Sequence, residues 1–151
     1  MKKAHILFFL FLSLILGIGC AGENDSFNQN NWVPNVLVNK TINLNTADGN
    51  PLLVPGGSAA FYDIGYKGVL VYNRDGSRFL AFDLACPHLD PSTCADAMDW
   101  ESNWPEIKCA CGEEEVIYYS ERPYANYKGR TYEMEAYKVM RLGNTLQIRN
   151  F

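Results

Sequence analysis

From Asn35 to the C-terminus no stretch of useful length sustains a helical period, while short apolar or alternating runs recur between Gly- and Pro-bearing turns. Strands separated by tight turns produce that pattern. Val36-Leu37-Val38 and Ile42-Asn43-Leu44 read as the first two runs, and Pro51-Leu52-Leu53-Val54 closes on Pro55-Gly56-Gly57. Phe61-Tyr62-Asp63-Ile64-Gly65 and Gly68-Val69-Leu70-Val71-Tyr72 follow. Arg74-Asp75-Gly76-Ser77 then supplies an Asp-Gly hairpin turn into residues 78–85. Val116-Ile117-Tyr118-Tyr119, Tyr137-Lys138-Val139-Met140, a turn at Leu142-Gly143-Asn144 and Thr145-Leu146-Gln147-Ile148-Arg149 complete the series. The expectation is an all-β antiparallel sandwich or small barrel, with the abundant Tyr and Phe spent on core and strand packing.

Two loops of that scaffold carry chemistry. Cys86-Pro87-His88 follows the apolar run Phe79-Leu80-Ala81-Phe82-Asp83-Leu84-Ala85, and Cys109-Ala110-Cys111-Gly112 comes after a polar, acidic interval. A thiolate and an imidazole on one loop, facing thiolates on another, form a donor set for a soft metal or an iron–sulfur cluster.

The N-terminus has a different character. Lys2 and Lys3 precede an apolar run over residues 6–16, which exits through Gly17-Ile18-Gly19-Cys20. A charged start, a short apolar core and a small-residue exit describe a secretory signal rather than a membrane-spanning helix. Ending on Gly-Cys, this segment resembles a bacterial lipoprotein signal, although Gly17 stands where that box usually has leucine. The resemblance implies removal of residues 1–19 and lipidation of Cys20, which would anchor the chain in a bacterial envelope, periplasmic or surface-exposed. Residues 20–34 then form a polar, Asn-rich tether, and 35–151 the β domain. Glu23 and Asp25 beside the cysteine admit a second reading of the tether, as a surface-export signal.

Removing residues 1–19 takes away two lysines and no acids, so the net charge moves from −4 to −6. That gives no footprint for nucleic acid. It also removes His5, leaving His88 as the only histidine, with Cys86, Cys94, Cys109 and Cys111 beside Cys20. In an exported chain disulfides are permitted.

Strand hairpin, Cys-x-His loop, spacer, Cys-x-Cys loop and closing hairpin occur in an order that resembles the Rieske [2Fe-2S] domain, over roughly residues 42–150. Ala81-Phe82-Asp83 leading into Cys86-Pro87-His88 carries the likeness most specifically. Rieske loops supply Cys and His, then Cys, two spacers and His. Cys86, His88 and Cys109 fall on the first three positions, and the fourth falls on Gly112. Two histidines on one iron set such a centre apart, and no second histidine remains. In respiratory members an extra cysteine on each loop forms a clamping disulfide. The resemblance therefore implies a Cys94–Cys111 bridge and leaves Cys86 and Cys109 facing each other, able to close a second one. Glu113-Glu114-Glu115 replaces the usual Gly-Ser-aromatic run, and Lys128-Gly129-Arg130-Thr131 stands in the covering loop without its proline. Three carboxylates would raise the cost of reducing a cluster there.

Three readings follow. The first is a cluster-free, disulfide-stapled module that is structural or binds a partner. The second is an electron carrier whose [2Fe-2S] cluster is held by Cys86, His88, Cys109 and a non-standard fourth ligand, with Cys111 the candidate. The third is a zinc site using Cys86, His88, Cys109 and Cys111. Enzymatic chemistry has little to stand on: no catalytic residues or small-molecule substrate can be named, and Glu101 and Glu106 read as solvated. The insert over residues 95–105, with Trp100 and Trp104, is the expected protein-partner surface.

Overall fold

A computed structural model describes residues 32–109 and 111–150. The expected signal segment 1–19, the lipidation site Cys20 and the tether as far as residue 31 lie outside the described residues. Those described form ten strands: β1 (Asn39–Asn43), β2 (Ser58–Phe61), β3 (Val69–Asn73), β4 (Phe79–Asp83), β5 (Glu106–Cys109), β6 (Val116–Tyr119), β7 (Tyr124–Tyr127), β8 (Arg130–Glu133), β9 (Ala136–Leu142) and β10 (Thr145–Arg149). All pairings are antiparallel, so the protein is all-β.

Six strands form one sheet in the order β1-β10-β9-β4-β3-β2. β9 meets β4 through only two pairs, Ala81↔Tyr137 and Phe82↔Ala136. The sheet therefore turns a corner there and curls into a half-barrel. The hairpins β5–β6 and β7–β8 stand apart from it, both inserted in sequence between β4 and β9.

The alternation of side chains along β3 and β4 divides the interior in two. Val69, Val71 and Ala81 join Val38, Leu52, Leu146 and Ile148 in one core. Leu70 and Phe82 point the other way, into a second core with Leu84, Ile107, Tyr118 and Met134. A strand buried on both faces must be apolar at consecutive positions, which explains the unbroken Val69-Leu70-Val71. Each such fully buried side chain contributes about 1.5–3 kcal/mol of transfer free energy. The second core is the one that holds the cysteines.

Asp83, fully buried at the end of β4, ties the two halves together. Its carboxylate accepts from the backbone N–H of Tyr66 (2.6 Å), Lys67 (3.1 Å) and Ala85 (2.9 Å), and from the Tyr137 hydroxyl (2.8 Å). Burying a carboxylate is costly unless its lone pairs are filled, and here four donors fill them. Gly65 makes the close approach possible. It sits at φ +78°, where a Cβ would lie 2.6 Å from Asp83 Oδ2 and 2.7 Å from Val69 Cγ2.

Several sequence expectations are corrected. Residues 36–38 are not a strand; β1 starts at Asn39, and the Val38 N–H donates to the Asn150 side chain instead of to a neighbouring strand (3.2 Å). The Pro51 run is a short 3-10 helix, Asn50–Leu53, with proline in its first turn, where the missing N–H costs nothing. Lys128-Gly129 is the tight turn of the β7–β8 hairpin, with φ of 48° and 77°. The chain is also docked ahead of Asn35: Val33 is buried, and the Trp32 N–H donates to the Pro87 carbonyl at 3.3 Å. The Asp75-Gly76 hairpin forms as expected between β3 and β4, with Gly76 at φ 88°.

Candidate functional site

The long connection from β4 to β5, residues 84–105, carries Cys86, His88 and Cys94, and the β5–β6 hairpin carries Cys109 and Cys111. Leu84, Met98 and Ile107 anchor the two segments in the second core. The Met98 N–H donates to the Leu84 carbonyl (2.7 Å), and Asp99 and Lys108 exchange a pair of backbone bonds (2.9 and 2.7 Å). These contacts fold the long loop back against β5, so its cysteines face those of the hairpin.

Cys86 is bonded to Cys109, with Cα atoms 5.6 Å apart, and Cys94 to Cys111, with Cα atoms 5.5 Å apart. Both separations suit an undistorted bridge. Each bridge joins the long loop to the hairpin. The four sulfurs form one compact group, all within 4.8 Å of one another. Cys94 Sγ lies 3.5 Å from Cys86 Sγ, across the boundary between the two bridges. Cys86, Cys94 and Cys109 are buried, and Cys111 is half-buried, the one with most solvent contact.

His88 goes elsewhere. It is buried, with Nδ1 sharing a hydrogen bond with the Tyr118 hydroxyl at 3.1 Å. Its ring packs among tyrosines, 4.5 Å from the Tyr127 centroid and 6.0 Å from that of Tyr132. Nε2 is buried and has no hydrogen-bond partner among the described residues. Burial holds the imidazole pKa below its ordinary value, which keeps the ring neutral, and pushes the Tyr118 hydroxyl up. His88 is not a member of the metal-capable group, which consists of the four cysteines alone.

The arrangement bears directly on a metal or cluster. Four free sulfurs at these separations could hold a metal ion. In this structure all four are spent in disulfides. A [2Fe-2S] cluster on Cys86, His88 and Cys109, or a zinc ion on those three and Cys111, needs thiolates that are bonded to each other here. It also needs an imidazole that is turned toward tyrosines. The residues as arranged do not fit either group.

Glu113, Glu114 and Glu115, beyond the second loop, are exposed. Glu115 lies 3.6 Å from Lys108 and Glu113 4.0 Å from Lys128, so part of this charge is locally paired. A groove of about 420 Å³ opens next to them, lined by Glu114, Glu115, Arg122, Tyr124, Tyr127 and Lys128 among others. In the insert, Trp100 and Trp104 are half-buried rather than free. They pack edge to face at 6.2 Å against the second core; Trp104 also meets Tyr72, and Trp100 Nε1 donates to the Tyr62 hydroxyl. Glu101 is exposed, and Glu106 lies 3.6 Å from Lys108. The two serve as surface charge.

No local pattern in the sequence announces the tyrosine enclosure of His88. The alternation Val116, Tyr118 on β6 could have signalled an inward-facing tyrosine, but nothing local pointed it at His88. No family model matches this chain, and no curated protein or solved structure matches it.

Proposed function

We propose that this chain is a non-catalytic, disulfide-stapled β module of a bacterial envelope lipoprotein, held to the membrane through Cys20 and built on a Rieske-like plan whose cluster site has degraded. One observation carries the reading: the four cysteines that follow Cys20 pair off without remainder in a single group, and His88 is left out of it. A two-loop arrangement on a small subdomain, inserted between strands of a larger antiparallel sheet, supports the Rieske-like plan. With the loops clamped to each other, their outer surface is a rigid acidic platform suited to holding a protein partner.

The second reading is a reduced form of the chain, without the two bridges, that carries electrons through a [2Fe-2S] cluster on Cys86, His88, Cys109 and Cys111. It is favoured by the unpartnered Nε2 of His88, a buried atom with spare capacity.

Iron, acid-labile sulfide and zinc in the protein, isolated both from an oxidising compartment and anaerobically, decide between them. The stapled module predicts none of the three, and four thiols that resist alkylation until reduced. Two irons and two sulfides per chain in either preparation would overturn it.

A further inference from the structure

The two bridges are close enough to exchange. Cys94 Sγ is 3.5 Å from Cys86 Sγ although the two belong to different disulfides. A bond between them needs a separation of about 2.05 Å, so the sulfurs must move together by only about 1.5 Å. The four also differ in access: Cys111 is half-buried, whereas Cys94 is 2% and Cys109 0% exposed. An external thiol therefore reaches the pair from the Cys111 side.

We infer that the four cysteines form a thiol–disulfide relay that unclamps the long loop from the β5–β6 hairpin when a dithiol reductant acts on Cys111. A thiolate of the reductant attacks Cys111 Sγ. A mixed disulfide forms, the Cys94–Cys111 bond breaks, and its electron pair leaves on Cys94. The Cys94 thiolate then attacks Cys86 Sγ, forming Cys86–Cys94, breaking Cys86–Cys109 and releasing the Cys109 thiolate. The reductant's second thiolate resolves the mixed disulfide, leaving the reductant as a cyclic disulfide and Cys111 as a thiolate. Two electrons pass from the dithiol to the chain, and its two protons end on Cys109 and Cys111. Each step is an attack of a thiolate on a disulfide sulfur, the ordinary course of such exchange.

The consequence is mechanical. Both original bridges tie the loop to the hairpin, while the product bridge lies wholly within the loop, between residues eight apart. One two-electron reduction thus removes both cross-links instead of one. This proposal rests on the stapled reading above and makes the clamp conditional on the redox state of a dithiol partner.

The tryptic map separates the outcomes. No lysine or arginine lies between residues 79 and 107, so Cys86 and Cys94 share the peptide 79–108. Cys109 and Cys111 share 109–128, since the Arg122–Pro123 bond resists trypsin. The folded chain is treated with one equivalent of dithiothreitol, quenched with acid, alkylated and digested. The relay predicts that 109–128 runs free with two labels and 79–108 carries an internal disulfide. Peptides still joined, with one label on each, would mean that one cross-link between loop and hairpin survived and would overturn it. Cys111→Ser gives a second measurement without added reductant. Exchange moves the free thiol at least in part from Cys94 to Cys109, and label confined to Cys94 in a folded variant would also overturn the relay. Failure of the stapled reading looks different: thiols of the untreated wild-type chain would already alkylate.

Discussion

The Tyr137 hydroxyl on β9 donates to the Asp83 carboxylate at the end of β4 across 2.8 Å, at the corner where the six-stranded sheet turns. Burial, and then the neighbouring Asp83 charge, push the Tyr137 pKa up, so the hydroxyl keeps its proton and remains a donor. Only two residue pairs join β4 to β9 in the ladder, and this bond adds a side-chain tie beside them. Tyr137→Phe removes one of four donors and leaves buried lone-pair capacity unfilled. The expected loss is about 1–3 kcal/mol, read as a lower denaturation midpoint. An unchanged midpoint would mean that the backbone donors alone satisfy Asp83.

Gly65→Ala tests the same carboxylate from its other side. The new methyl would meet Asp83 Oδ2 and Val69 Cγ2 at 2.6 and 2.7 Å, on a backbone at φ +78°. Left-handed strain alone costs about 1–3 kcal/mol, and the clash adds to it. Gly129→Ala is the control, since its φ of +77° is similar but no atom lies within 4 Å of the added Cβ. Equal losses at both sites would show that contact with Asp83 matters little.

The Cys94–Cys111 bridge closes a loop of sequence separation 17. Replacing both residues by alanine is expected to lower stability by about 2–4 kcal/mol. Hydrogen exchange should rise in the loop over residues 84–105 and in β5–β6, with the β3–β4 hairpin unchanged. Uniform loosening across the large sheet would contradict a local clamp.

His88 sets a pH dependence whose sign follows from its environment. Burial lowers its folded pKa below the ordinary value of 6.5, so the unfolded chain binds the proton more tightly. The stability contribution is complete above that value and falls as the pH drops through it toward the folded pKa. The Glu135 carboxyl, raised by burial and then by the Asp83 charge, works in the opposite direction. The measurement is therefore a difference between the wild type and His88→Gln, by urea denaturation from pH 8 to 5. The wild type is expected to lose more stability than the variant on acidification. Parallel profiles would place an ionised His88 in the folded state.

Local chemistry made part of this molecule legible. Asp75-Gly76 announces its hairpin because Asp75 can accept from Ser77 and Arg78 while glycine takes the positive φ. The run Val69-Leu70-Val71 reads as a strand because both its faces are buried. β5, β7 and β8 were not legible. Glu106–Cys109 and Arg130–Glu133 mix charged with apolar residues in four-residue strands, and their pairing comes from the hairpin partner. Residues 36–38 carry β-type side chains, yet the β1–β10 register begins at Asn39↔Arg149, beyond them.

Residue order alone determined that this chain is all-β and that two cysteine-bearing loops interrupt its strands, because turn chemistry and side-chain alternation act over a few residues. From Asn35 onward it also supplies a single histidine, His88, too few for two from that stretch to meet on one iron. Only the tertiary structure decided that all four sulfurs gather in one group, that His88 turns from them toward Tyr118 and Tyr127, and that one buried carboxylate gathers donors from three separate segments. Those choices depend on the folding of the 84–105 loop against β5 and on the curl of the sheet at Tyr137. They are set by burial and hydrogen-bond satisfaction between residues far apart in sequence, which no local pattern records.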